Sequence, residues 1–167
     1  RDYATLFEAV RGTAIRVKIA AGGRFYSLGA ARSLPPRPEN VEFVPPTDSA
    51  GMRELHQRAA AVVVPLRADQ MDATGCSVVL EAMACARPVV AGRTMGIAEY
   101  VRDGETGLLV DRGDPGRMRS ALMQLLESEG LARKLGKQGR ADSESRLALH
   151  TLVEGLARAS QEASELT

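Results

Sequence analysis

Residues 73–92, Ala-Thr-Gly-Cys-Ser-Val-Val-Leu-Glu-Ala-Met-Ala-Cys-Ala-Arg-Pro-Val-Val-Ala-Gly, read as a tight turn, a helix of about three turns and a short buried strand opened by Pro88. Thr74 and Gly75 precede the helix, so the backbone N–H groups of Cys76 and Ser77 point out of its N-terminus. Unpaired donors and the helix dipole together favour an anion at such an end. Glu81 lies one to two turns further in, and its carboxylate can accept hydrogen bonds from vicinal hydroxyls. A phosphate at the helix start and a diol at Glu81 together describe a nucleotide.

Working outward, Ala61-Val-Val-Val-Pro65 is a continuous apolar run, as a parallel strand covered on both faces requires, and the polar loop 67–72 joins it to the helix. Beyond the quoted stretch, Gly96 opens a short helix to about residue 102, Asp103-Gly-Glu-Thr-Gly107 is a turn and Leu108-Leu-Val110 a strand. Asp114-Pro115 is a cap followed by a first-turn proline, and starts a helix to about Ser128 whose Met118, Leu122, Leu125 and Leu126 form a core stripe. Two charged helices follow, near 130–141 and 144–165, and read as part of an interface outside the chain. Upstream, Ile15–Ala20 alternates like a strand, and Val41–Val44 is a strand stopped by Pro45 and Pro46. Asp48 or Ser49 caps a helix to about Arg58, with Met52 and Leu55 inward. Residues 24–40, with Gly29, Pro35, Pro36 and Pro38, read as a loop with room for a short helix. Residues 2–11 read as a helix with Leu6, Phe7 and Val10 on one face and Gly12 as the stop.

Strand and helix alternate from 15 to 128, so the class is α/β, a Rossmann-like doubly wound parallel sheet with strands at 15–20, 41–44, 61–65, 88–91 and 108–110. The helix at 2–11 has no strand ahead of it. The first strand is therefore expected to be missing and the chain to be cut from a longer one.

A chain of 167 residues with 44% apolar and 26% charged residues is one domain with room for a real core. A net charge of +1 supplies no field to recruit nucleic acid or anionic membrane, and 4% aromatics without Trp make a base-stacking platform a poor fit. No apolar run approaches the ~20 residues of a membrane span, and no signal-peptide pattern is present. The expectation is a cytoplasmic domain that binds no nucleic acid. Two cysteines make no disulfide framework, and they lack histidines at metal-ligand spacing, so no metal site is expected. Cys85 reads as a small buried hydrophobe. Cys76 sits at a helix N-terminus, where a thiol pKa falls, but no histidine lies nearby in sequence to act as its base. His56 and His150 stand in polar helical contexts and read as surface residues.

Residues 75–110 carry a more specific pattern: Gly75-Cys-Ser-Val-Val-Leu-Glu-Ala-Met-Ala-Cys-Ala-Arg-Pro-Val-Val-Ala, then Gly96-Ile-Ala-Glu-Tyr-Val-Arg-Asp-Gly-Glu-Thr-Gly-Leu-Leu-Val. This resembles the C-terminal, nucleotide-sugar-binding domain of GT-B retaining glycosyltransferases of the glycosyltransferase family 4 type, over nearly the whole chain. The resemblance implies a Glu-x7-Glu motif whose second glutamate, on the donor ribose, is Glu81. The first, on the donor sugar, falls at Ala73, with Asp72 beside it. It implies that Thr74, Gly75, Cys76 and Ser77 form the turn whose backbone donors meet sugar and diphosphate. Arg1 stands near the position of a catalytic lysine on the diphosphate, and Val44 at a position that meets the base edge through its backbone. Glu99 matches a glutamate of a Gly-Gly-x-Pro-Glu helix start, where its own placement suggests first-turn capping. No cofactor and no metal are implied; the donor, a UDP-, GDP- or ADP-sugar, is a substrate. The domain is expected over 1–143. Residues 144–167 would pack back toward an N-terminal acceptor domain of the same parent chain, with a peripheral membrane position open through that parent. The acceptor is unknown, and this chain alone should transfer little or nothing. Two other readings stay open, a non-catalytic glycosyltransferase-like regulatory or scaffold domain, which Ala73 favours, and a GT-B nucleotide-sugar epimerase relative.

Overall fold

The computed structural model describes residues 1–20, 34–45, 47–69, 74–148 and 151. In chain order these form α1 (Tyr3–Val10), β1 (Val17–Ala20), β2 (Val41–Val44), α2 (Ser49–Arg58), β3 (Val62–Val64), α3 (Cys76–Ala84), β4 (Val89–Gly92), α4 (Met95–Tyr100), β5 (Gly107–Val110), α5 (Pro115–Glu127) and α6 (Glu129–Glu144). Each lies where the hydrophobic pattern places it, with ends moved by a few residues. The expected helix at 144–165 falls almost wholly outside the described residues, as does most of the loop at 24–40.

All strand pairs are parallel. β1 pairs with β2, Val17 opposite Val41 through Ala20 opposite Val44. β4 lies between β3 and β5, with Val62 opposite Val89 and Val89 opposite Gly107. Among the described residues these are two sheets, of two and three strands, and β1 and β3 do not pair with each other. A common core nonetheless joins them. Ile19 and Val41 share one cluster with Val90 and Val110, closed over by Leu6, Phe7 and Val10 of α1 and by Met118, Leu122 and Leu125 of α5. The alternate residues Val89, Ala91 and Leu109 point the other way, onto Val79, Ala82 and Met83 of α3 and Ile97 of α4. Helices thus cover both faces of the three-stranded sheet, which is why its strands carry no charged residue, whereas β1 and β2 turn Lys18 and Glu42 to solvent. Each fully buried Val or Leu contributes about 1.5–3 kcal/mol.

Two expectations change. Leu126 is not core: it is 45% exposed, because the inward face of α5 is made by Met118, Ala121, Leu122 and Leu125. And α6, read from its charges as part of an interface outside the chain, also packs inward. Its Leu135, Gly136, Gly139 and Asp142 are buried, and the two glycines bring α6 against the end of α3. A Cβ at Gly136 would stand 2.2 Å from the Ala86 carbonyl oxygen, and one at Gly139 would stand 3.3 Å from Met83 Cγ.

Helix ends are held from a distance. α1, α3 and α4 have no basic residue in their last turns, and arginines of α5, of α6 and just past α6 supply the missing donors. Arg119 donates to the carbonyls of Ala9 (2.6 Å), Glu8 (2.9 Å) and Arg11 (3.1 Å). Arg140 donates to the Ala84 carbonyl, and Arg146 to those of Glu99 (2.8 Å) and Tyr100 (3.2 Å). Orphan carbonyls and the negative end of the dipole are satisfied together. The buried Asp142 carboxylate lies between Arg102 (3.0 Å) and Arg146 (3.2 Å), which compensates its charge.

Candidate functional site

The start of α3 differs from every other described helix start. Asp2, Asp48, Thr94, Asp114 and Ser128 each cap their helix with a side-chain oxygen. α3 is entered through Gly75 with φ 99° and no side-chain cap. Its first-turn donors are thus not occupied by a capping side chain, and the positive end of the dipole is left for something else. Glycine is required at this position twice over. The φ is in the left-handed region, and an added Cβ would stand 2.8 Å from Val64 Cγ1, 3.4 Å from Arg1 Nη1 and 3.6 Å from Leu66 Cδ2.

Those distances also place Arg1. Its guanidinium lies against the N-cap of α3, though 74 positions separate Arg1 from Gly75 in sequence. The neighbouring residue holds it there. The Asp2 amide donates to the Pro65 carbonyl just past β3 (2.9 Å). The Asp2 carboxylate accepts from the Thr5 amide (3.0 Å) and hydroxyl (2.7 Å) to start α1. A cation and an uncapped helix N-terminus therefore meet at the carboxyl edge of the parallel sheet, where open α/β folds hold ligands.

Thr74 and Cys76 are half-buried at this start and Ser77 is exposed. Cys76 departs from expectation. Packed against the core cluster of β3, β4 and α3, its thiol is pushed up by burial, which outweighs the help Arg1 gives the thiolate. This is the opposite of an activated nucleophile. Cys85, at the C-cap of α3, is half-buried rather than fully enclosed.

Glu81 is exposed on the second turn of α3. Its electrostatic partner is His56, which the sequence reading puts on the surface and which is in fact buried, 6% exposed. Burial pushes the His56 pKa below its ordinary 6.5, and the Glu81 carboxylate pulls it part of the way back. The sequence held a signal for this. His56 lies four residues after Met52, on the inward face of α2, and only its polar neighbours disguised it.

Val44 lies at the carboxyl end of β2, buried, opposite Ala20 on the two-stranded sheet. Glu99 is not a first-turn residue: α4 begins at Met95, Thr94 caps it through the Ile97 amide (3.0 Å), and Glu99 is exposed near its end. Ala73 and Asp72 lie outside the described residues. A cleft of about 490 Å³ runs beside the site, lined by Arg1, Asp2, Tyr3, Leu34, Arg67 and Asp69. It shares Arg1 with the α3 start. Arg67 donates twice to Asp69 at its mouth (2.9 and 3.0 Å), which holds that carboxyl below the usual range. Among the described residues no cluster of three or more His, Cys, Asp or Glu could hold a metal ion, and no helix is long and apolar enough to cross a membrane.

Known proteins resemble this chain in sequence and in fold. A D-inositol 3-phosphate glycosyltransferase of Acidothermus cellulolyticus is 40% identical over 87 residues, which is 52% of this chain and 18% of that enzyme. The chain thus spans a minor part of such relatives. HepE of Anabaena, solved with UDP and glucose, superposes with a TM-score of 0.71 at 18% identity, over 97% of this chain and 44% of that one. The C-terminal domain of LpcC of Francisella tularensis, a glycosyl transferase group 1 protein, superposes with a TM-score of 0.68 at 19% identity, over 89% of this chain and 80% of that one. The fold is therefore the Rossmann-like domain of GT-B glycosyltransferases, as the alternation of strands and helices leads one to expect. Residues 31–142 match the glycosyl transferases group 1 family, and the chain belongs to that family.

Proposed function

We propose that this chain is the donor-binding half of a retaining glycosyltransferase of the family 4 type, taking a UDP-, GDP- or ADP-sugar. The observation that carries the reading is the start of α3, without a side-chain cap and with the Arg1 guanidinium beside it. A diphosphate placed there meets backbone N–H groups of Cys76 and Ser77 and the Arg1 charge. Glu81 takes the ribose hydroxyls, and the Val44 backbone meets the base. As the sugar–phosphate bond breaks, charge grows on the departing diphosphate, and fixed donors aimed at that charge lower the barrier. Of the three nucleotides, the comparison with HepE, solved with UDP and glucose, favours UDP.

The break between the sheets supports a longer functional chain. The Asp2 amide already pairs with the Pro65 carbonyl at the end of β3. A strand running into Arg1 would lie beside β3 on one side and β1 on the other, in the order of a doubly wound sheet. An acceptor-binding domain would precede it, residues 144–167 would pack toward that domain, and this chain alone would transfer little sugar.

Calorimetry of the protein with UDP-, GDP- and ADP-glucose tests the reading. One nucleotide-sugar should bind, and Glu81→Ala should weaken it by about 1–3 kcal/mol, because ribose hydroxyls lose their acceptor. No heat with any of them at millimolar concentration contradicts the reading, and unchanged affinity in Glu81→Ala contradicts the ribose assignment. Ala73 favours a second reading, a glycosyltransferase-like domain that binds donor without transfer. Donor binding by the parent chain without sugar transfer or donor hydrolysis selects it.

A further inference from the structure

The carboxyl ends of β3, β4 and β5 crowd together over Gly92, the last residue of β4. A Cβ at Gly92 would stand 3.1 Å from Leu66 Cβ, just past β3, and 3.2 Å from Arg112 Cγ, just past β5. The Arg112 stem therefore crosses the end of β4. Its guanidinium reaches the segment that leaves β3, donating from Nη1 to the carbonyls of Ala68 (2.9 Å) and Arg67 (3.5 Å). Beneath that contact, fully buried Leu66 continues to the α3 start, its Cδ2 standing 3.6 Å from where a Gly75 Cβ would be. One strap thus runs from β5 across Gly92 to residues 66–68, of which Leu66 abuts the N-cap of α3 while Arg67 and Ala68 share a cleft with Arg1.

We infer that Arg112 is a positioning residue for the anion site at the α3 start. It touches no ligand in this role. It fixes the 66–68 segment before ligand arrives, so ordering that segment does not draw on binding free energy. The five fixed donors of a guanidinium suit a strap to backbone carbonyls. The inference rests on the nucleotide-sugar reading above and adds to it a residue that no spacing in the sequence connects to the site.

Arg112→Met keeps a stem of similar bulk over Gly92 and removes the donors; Arg112→Lys keeps one. UDP-glucose affinity should fall roughly tenfold in Arg112→Met, with loss of pre-organisation, and recover to within about threefold in Arg112→Lys. Amide hydrogen exchange at Leu66–Ala68 should quicken in Arg112→Met without ligand, with the melting temperature within about 3 °C of wild type. Wild-type binding matched by equally tight binding in Arg112→Met overturns this inference alone. Equal losses of affinity and melting temperature in both variants mark a purely structural arginine and also overturn it. A wild-type protein that binds no nucleotide-sugar overturns the donor-site reading, and this inference with it.

Discussion

Gly75→Ala puts the α3 start under direct strain. Two separable costs arise. An alanine at φ 99° pays for a left-handed backbone, about 1–2 kcal/mol. Its Cβ would also press to 2.8 Å from Val64 Cγ1, in a side chain with no exposure, and relieving that overlap costs about 1–3 kcal/mol more. The sum is about 2–5 kcal/mol, or roughly 4–20 °C in melting temperature for a domain of this size. Gly113→Ala is the control. Gly113 also has positive φ, 75°, but nothing lies within 4 Å of its added Cβ, so it should lose only the backbone part. Thermal and urea unfolding of both variants measure the difference, and that difference is the crowding at the α3 start. Because Arg1 Nη1 also stands 3.4 Å from the new Cβ, UDP affinity should fall in Gly75→Ala and not in Gly113→Ala. Equal losses in the two variants, with UDP affinity unchanged, would refute the close packing of Val64, Gly75 and Arg1.

Two further outcomes follow from the same neighbourhood. Ala86 has φ 54° at the end of α3, in a turn closed by its amide on Met83 and by the Arg87 amide on Ala82, both 2.9 Å. This is the helix stop that glycine usually makes, so Ala86→Gly should raise stability by about 0.5–1 kcal/mol, and a lower melting temperature contradicts it. His56 sets a pH dependence. Its folded pKa lies below 6.5, so the unfolded chain binds the proton more readily. The stability it supports is complete above about pH 6.5 and is lost as pH falls from there through the folded value. An NMR titration of the His56 ring should give a midpoint below 6.5, lowered further in Glu81→Gln, which removes the charge that raises it. A midpoint at or above 6.5, or one indifferent to Glu81, contradicts the burial and the proximity of the two groups.

Much of this molecule is legible from local pattern, and the remainder fails for identifiable reasons. The Asp114-Pro115 start, the valine run of β3 and the turn before β5 are set by neighbours in sequence, and each is where it was expected. The uncapped start at Gly75 was legible too, since Thr-Gly before an apolar helix offers no cap at the last position. What sequence could not show is set by residues far away. The Cys76 thiol is raised by burial against a core cluster assembled from residues far apart in sequence, which no local motif contains. The carbonyls at the end of α1 are met by Arg119, 110 positions on, and those of residues 67 and 68 by Arg112. The grip of Arg1 on the α3 start likewise depends on an amide–carbonyl bond between Asp2 and Pro65. His56 shows the limit of local polarity: its place on the inward face of α2 outweighs its polar neighbours, and it is buried.

The most direct test is an NMR titration of the amides of Gly75, Cys76 and Ser77 with UDP-glucose, in wild type and in Arg1→Ala. Those three amides should shift together and saturably, with the affinity roughly tenfold weaker once the Arg1 charge is gone. Saturable binding that leaves these three amides unmoved, or that is indifferent to Arg1, would contradict a diphosphate held at the start of α3.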